Sequence, residues 1–214
     1  MFLFVGPTGY GVDEDVLNCA GEAVCLPPAR RGDVDRLRSS IKPSRICIAD
    51  GTFHHFPAVG HAEIREAILA GWEIWGVSSM GAIRAAEMER YGMLGYGAIY
   101  AEYRSNPEFT DDEVTQLHEQ SKPFAPISEP LVHFRRLCRN AVDFGFLSKV
   151  HAAAICSAVA EMWYGYRTAE VFLEVASKVA PDAREHLALS IRCIDSFRTK
   201  TDDLVSFLSS RPWS

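Results

Sequence analysis

The chain has 214 residues, of which 48% are hydrophobic and 23% charged, so we expect an ordinary soluble globular protein with one sizeable domain, or one domain and a helical addition. Its formal net charge of -6 argues against a domain that binds nucleic acid mainly through phosphate contacts. Six scattered cysteines without a CxxC pair argue against a zinc site or a disulfide framework, and no apolar run is long enough to span a membrane.

The first half of the chain alternates short apolar runs with helical patterns. Strands are predicted for 2–5, 22–26, 45–49 and 73–77, and helices for a segment that opens at Asp33, for 61–69 and for 82–90. This alternation favours right-handed βαβ crossovers and a parallel sheet. The predicted fold is therefore α/β, with a mostly parallel, open, Rossmann-like sheet and flanking helices. The apolar amino terminus lacks a basic region, so we interpret it as a first strand of a cytoplasmic protein and not as a signal peptide.

From residue 129 onward the chain carries helical patterns only, after two less regular segments. Residues 93–103 are rich in Gly and Tyr, a helical turn carrying His118 is predicted after 110–113, and 121–130 reads as a proline-rich connection. Helices are predicted for 131–144, 147–164, 169–179 and 183–208, with Ser148, Thr168 and Asp182 at their starts. We therefore predict an α/β domain at 1–127 and a helical C-terminal subdomain at 128–214.

The clearest functional signal lies where the strand 73–77 meets the next helix. Two serines and a glycine separate them, and the free N–H groups of a helix start favour a developing negative charge. This pattern is typical of a nucleophile elbow, with Ser79 as nucleophile and the N–H groups of Met80 and Gly81 as oxyanion donors. The match to G-x-S-x-G is partial. Ser78 is a rival nucleophile, and a serine that only caps the helix is the alternative.

Loop residues that could take part in a site also follow two other predicted strands. Pro7 and Thr8 come after the first strand and Asp50 after the third, although a turn aspartate is the alternative role of Asp50. If these strands are neighbours of 73–77, their loops and Ser78 line one crevice at the carboxyl edge of the sheet.

Cofactor and metal sites are not expected. The glycines at 6, 9 and 11 resemble a phosphate-binding loop only loosely and no Lys follows them, so a nucleotide-binding protein is the weakest interpretation. His54, His55 and His61 have no Cys or acidic residue at ligand spacing, so no metal site is predicted.

Several motifs, taken together, resemble the core domain of TfuA-like proteins from residue 2 to about residue 136. The motifs are Val5-Gly6-Pro7-Thr8, Leu26-Pro27-Pro28-Ala29 with Gly32-Asp33, Asp50-Gly51, His61-Ala62-Glu63-Ile64, the segment from Ser78 to Glu87, Gly92-Met93, Asp111-Asp112-Glu113-Val114 through His118, and Ser128-Glu129-Pro130-Leu131-Val132. The chain departs from the family pattern at Thr52, where an acidic residue is common, and at Ala62, where a Lys is common.

The resemblance implies a role beside YcaO-type enzymes, which thioamidate peptide or protein backbones, as in RiPP biosynthesis. In that role a small ThiS-like sulfur-carrier protein holds sulfur as a C-terminal thiocarboxylate. The TfuA-like partner hydrolyses this group, and the YcaO enzyme uses the released sulfide. The resemblance thus predicts a hydrolase whose partners are a YcaO enzyme and the carrier, and it implies neither nucleic acid nor membrane.

The residue types suit this chemistry. Attack on a thiocarboxylate carbonyl requires a nucleophile, for which Ser79 is the candidate, and a base, for which we choose His118. Asp112, in the acidic cluster 111–113, is the candidate that orients His118, with helix capping as the alternative role of this cluster. Arg84 and Glu87 either bind the carrier tail or pair with each other on the helix surface.

Two alternatives stay open at this point. The chain can instead be a non-catalytic module that recruits the carrier or activates the YcaO enzyme. If it is a hydrolase, Ser79 can form an acyl-enzyme or activate a water molecule. The residues do not set an oligomeric state.

Overall fold

The computed structural model describes residues 1–53 and 56–213, so His54 and His55 lie outside the described residues. The chain forms two compact units. The α/β unit contains Met1–Asp111, Lys122–Phe124 and Lys200–Ser214, and the helical unit contains Asp112–Ser121 and Ala125–Thr199. The predicted division into two domains at residue 127 stays a prediction. The chain passes between the two compact units several times, so no single residue separates them.

The described residues of the α/β unit form a five-stranded parallel sheet. The strands are β1 (Phe2–Phe4), β2 (Val24–Leu26), β3 (Arg45–Ile48), β4 (Glu73–Val77) and β5 (Leu94–Tyr96), in the order β2-β1-β3-β4-β5. This is the strand order of flavodoxin-like doubly wound sheets. The predicted α/β fold with a parallel sheet is confirmed, although β5 was not expected in the Gly- and Tyr-rich segment.

Helices cover both faces of this sheet. The unit contains α1 (Glu14–Leu17), α2 (Asp33–Ser40), α3 (His61–Leu69), α4 (Met80–Met88), α5 (Ala98–Ser105) and most of α10 (Thr199–Ser210). Because side chains alternate along a strand, Ile46 and Ile48 pack with Ile64 of α3 on one face, while Leu3 and Cys47 pack with Leu204 of α10 on the other. The C-terminal helix therefore belongs to the core of the α/β unit.

The helical unit has its own hydrophobic core. It consists of α6 (Leu131–Asp143), α7 (Lys149–Ala160), α8 (Ala169–Val179) and α9 (Arg184–Arg192). Phe134 and Phe172 stack at its centre with ring centroids 4.7 Å apart. Ser148 and Thr168 accept hydrogen bonds from the first turns of α7 and α8, so these two predicted caps are confirmed.

Two predictions about helices in this half of the chain are wrong. The pattern at 183–208 is broken into α9, a 3-10 turn at Ile194–Phe197 and α10, so it is not one helix. Residues 110–118 form only a 3-10 turn at Asp111–Glu113, and His118 lies in an extended segment that bridges to Pro126. The cause is local pairing, because Glu119 N–H donates to Ala125 C=O and Ile127 N–H donates to Leu117 C=O.

None of the helices within 1–53 and 56–213 has the length and apolar character that crossing a membrane requires.

Candidate functional site

The loops that follow β1, β3 and β4 begin side by side. Phe4 pairs with Ile48, and Ile48 pairs with Gly76, so the three strands end at the same level of the sheet. The condition under which these loops lie together, that the three strands are neighbours, is therefore met. The carboxyl edge of a doubly wound sheet is also where ligands of such folds bind.

Asp50 holds the loop after β1 in place. Its carboxylate accepts hydrogen bonds from Gly6 N–H at 2.8 Å, from Thr8 N–H at 3.0 Å and from the Thr8 hydroxyl at 2.6 Å. Both Asp50 and Thr8 are almost fully buried. Asp50 is thus more than an exposed turn aspartate, since it fixes the main chain of Gly6, Pro7 and Thr8 beside the end of β3.

Replacing Asp50 by alanine should lower the free energy of unfolding by about 3 kcal/mol, because three buried donors would lose their acceptor. Urea denaturation of D50A measures this loss. The matched control is D13A, since Asp13 also accepts a main-chain hydrogen bond, from Asp15 N–H, but at an exposed helix start. We expect about 1 kcal/mol there. Equal losses in both variants would contradict the structural role of Asp50.

The turn between β4 and α4 is strained at Ser78. This residue has φ +65°, in the left-handed region that non-glycine residues rarely occupy. Its hydroxyl donates a 2.7 Å hydrogen bond to the C=O of Lys200, which lies in the first turn of α10. The next residue of α10, Thr201, donates from its hydroxyl to Thr8 C=O at 2.9 Å. The start of α10 therefore joins the loops after β1 and β4.

Ser79 occupies the position just before α4. It is 2% exposed, and within the described residues its hydroxyl makes no capping hydrogen bond to the helix. Its N–H donates to Val77 C=O at 2.9 Å and to Ala49 C=O at 3.2 Å. The Ser79 side chain therefore does not cap α4, which was the alternative role considered for it.

The predicted oxyanion donors differ in their surroundings. Gly81 N–H donates a hydrogen bond of 3.4 Å to Ala49 C=O, which is longer than usual, so an oxyanion would have to compete with Ala49 for this donor. Met80 is the first residue of α4, where helical geometry supplies no acceptor for the N–H group. Hence the helix start retains hydrogen-bonding capacity directly after Ser79.

Arg84 and Glu87 pair with each other on α4. The Arg84 guanidinium donates to Glu87 Oε2 at 2.6 Å and to Val59 C=O at 3.0 Å, and Glu87 Oε2 also lies 2.8 Å from His61 Nε2. Asp111 lies near this pair. Its pKa is raised above the usual value, first by burial and then by the negative charge of Glu87. The structure therefore contains the Arg84–Glu87 ion pair that the sequence offered as the alternative to substrate binding. A role of these residues in binding the carrier tail stays a prediction.

His118 and Asp112 belong to the helical unit. His118 is partly buried, and its Nδ1 lies 2.6 Å from Glu119 C=O. The Asp112 carboxylate is bound by Arg167, a 1% exposed guanidinium that also donates to the C=O groups of Val159 and Met162. Asp112 therefore has a structural partner, and the catalytic roles of Asp112 and His118 stay predictions from the sequence.

A second ionic cluster in the helical unit was not anticipated. Glu129 accepts from Arg198 at 2.9 Å and lies 2.8 Å from Nδ1 of His133, and all three residues are buried. Burial alone would raise the pKa of Glu129, but His133 and Arg198 outweigh it and hold this pKa below the usual value. The four-residue spacing of Glu129 and His133 could have predicted their contact from the sequence. The position of Arg198 beside them could not have been predicted in this way.

Comparison with models of known protein families gives a match. Residues 50–168, more than half of the chain, match the family model described as TfuA-like protein. This range includes Asp50, Ser79, Asp112 and His118. No curated protein matches the chain.

Proposed function

Because the chain belongs to the TfuA-like family, which is associated with YcaO systems, we propose that it releases sulfide from a thiocarboxylated sulfur-carrier protein for a YcaO enzyme. The observation that carries this proposal is the geometry of Ser79. Its hydroxyl stands at a strained strand-to-helix turn, does not cap the helix, and precedes main-chain N–H groups at the start of α4.

The reaction needs only the elements of water. Thiocarboxylate and water give carboxylate and hydrogen sulfide, so no oxidant, reductant or cofactor enters. In the covalent version, Ser79 Oγ attacks the carbonyl carbon and its proton passes to a base. The C–S bond then breaks as the base gives this proton to the sulfur, which leaves as hydrosulfide. Water then hydrolyses the resulting ester. The N–H groups of Met80 and Gly81 would stabilise the oxyanion, and losing one such donor typically costs about a hundredfold in rate or more.

The burial of Ser79 narrows the substrate class. A serine that is 2% exposed cannot meet a bond in the middle of a folded protein surface. A C-terminal thiocarboxylate on an extended tail is a narrow chain end, and a carrier protein presents its sulfur in that form. The buried position of Ser79 therefore supports a tail-borne acyl group as the substrate.

The direct test is sulfide release from a purified ThiS-like carrier in its thiocarboxylate form, measured with the whole chain and no other protein. We expect release well above spontaneous hydrolysis, together with conversion of the carrier to its carboxylate by intact mass. The alternative, a non-catalytic recruiter, predicts that the carrier binds and keeps its sulfur. That result, with or without an added YcaO enzyme, would refute the hydrolase.

A further inference from the structure

A cavity of about 490 Å³ lies in the α/β unit beside Val5 and Gly6, at the end of β1. Its walls are the ends of β1 and β2, the loop at 9–12, the single turn of α1 with Asn18, and the short segment Lys122–Phe124. The volume falls within the range of about 300–1,000 Å³ that is usual for ligand pockets. None of the residues discussed as catalytic lines it.

The walls suit an extended peptide with an apolar side chain. Val5, Val12 and Leu26 contribute apolar surface, while Glu14 and Lys122 carry opposite charges, so neither charge sign dominates. At Gly11 the main chain is open, since among the described residues only its chain neighbours come within 4 Å of the place where a Cβ would be, whereas the Cβ position of Gly9 is filled by Val5 and Leu17. A peptide can therefore approach this loop closely and still bury a side chain.

The distance from the cavity to Ser79 follows from the sheet. Phe4, Ile48 and Gly76 are in register, so the ends of β1 and β4 are two strand spacings apart, or about 10 Å. Leu26 of β2 is in register with Phe4, which puts the far wall one spacing further, at about 14 Å. An extended chain advances about 3.3 Å per residue, so three to four residues cover this distance.

We propose that this cavity is a specificity site for the carrier tail, and that it receives an apolar side chain three or four residues before the residue that carries the thiocarboxylate. The proposal rests on the proposed function, which requires the chain end to be at Ser79. The tail would lie across the carboxyl ends of β1, β3 and β4.

Binding of synthetic peptides tests this proposal without any chemistry. The probes are fluorescein-labelled octapeptides of Gly and Ser with a free C-terminal carboxylate and a single Leu at the fourth, fifth or seventh position from that end, counting the C-terminal residue as the first. We expect the peptides with Leu at the fourth or fifth position to bind the whole chain about tenfold more tightly than the peptide with Leu at the seventh. Equal affinities would overturn the proposal.

A variant that fills the cavity provides a second test of the proposal. V12W should remove the preference for Leu position, whereas the control E66W, on the exposed face of α3, should keep it. If V12W is folded and keeps the preference, the cavity is not the site.

Alkylation of the native protein gives a readout that needs no variant. Cys25 lines the cavity, and burial raises its pKa despite the opposing effect of Lys122, so labelling with iodoacetamide is run at alkaline pH. The peptide with Leu at the fourth position should slow alkylation of Cys25 and leave the exposed Cys193 unaffected. Unchanged labelling of Cys25 at saturating peptide would overturn the proposal.

Failure of the proposed function would look different from failure of this inference. A chain that prefers Leu at the fourth or fifth position but releases no sulfide has the tail site without the hydrolase. A chain that releases sulfide without this preference is a hydrolase whose cavity does not bind the tail.

Discussion

Ser79→Ala should reduce sulfide release from a thiocarboxylated carrier by about a thousandfold or more, because the reaction would lose its nucleophile and keep only binding and the oxyanion donors. The same variant should unfold within about 0.5 kcal/mol of the wild type, since the Ser79 hydroxyl does not cap α4. A capping serine would instead lose about 1 kcal/mol. Rate and stability together therefore separate a catalytic serine from a structural one.

Ser78→Ala is the matched control for this experiment. The two serines are adjacent and buried, but the Ser78 hydroxyl is committed to Lys200 C=O. We expect S78A to lose about 1 kcal/mol of stability and to keep most of its sulfide release. If S78A abolishes release while S79A retains it, the nucleophile is Ser78. If both variants release sulfide at the wild-type rate, neither serine is the nucleophile.

Local sequence patterns predicted those strands and helices whose ends are set by residues within or next to the element itself. The helix 61–69 and the strand 73–77 were predicted with the observed ends. Helix α3 begins where the Glu63 side chain accepts a hydrogen bond from Gly60 N–H, a local signal. By contrast, β5 has only Leu94 and Tyr96 around a glycine, and it forms a strand because it pairs with β4 at the edge of the sheet.

The parts of the site that sequence could not predict depend on residues far apart in the chain. Asp50 was recognised as a polar residue at a strand end, yet its bonds to Gly6 and Thr8 depend on the pairing of β1 with β3. The link from Ser78 to Lys200 spans more than half of the chain. No local pattern indicates that the C-terminal helix returns to the sheet, because periodicity describes one element at a time.

Gly81→Ala should lower the free energy of unfolding by about 3 kcal/mol or more, although the same change inside an exposed helix normally stabilises by about 1 kcal/mol. A Cβ on Gly81 would lie 1.6 Å from the carbonyl oxygen of Ile48, so either α4 or β3 would have to move. Gly76 of β4 permits the same close approach, since its own Cβ would lie 2.0 Å from Gly81 C=O. Urea denaturation of G81A provides the measurement.

Gly60→Ala is the appropriate control, because Gly60 also stands at the start of a helix but has room for a methyl group. Its Cβ would meet only the Glu63 carboxylate, at 3.5 Å, so we expect a change within about 1 kcal/mol. The contrast bears on mechanism, because the contact of Gly81 with β3 sets where the first N–H groups of α4 stand relative to Ser79. A G81A protein as stable as the wild type would mean that α4 does not press on the sheet, and the proposed oxyanion donors would then lose the packing that positions them.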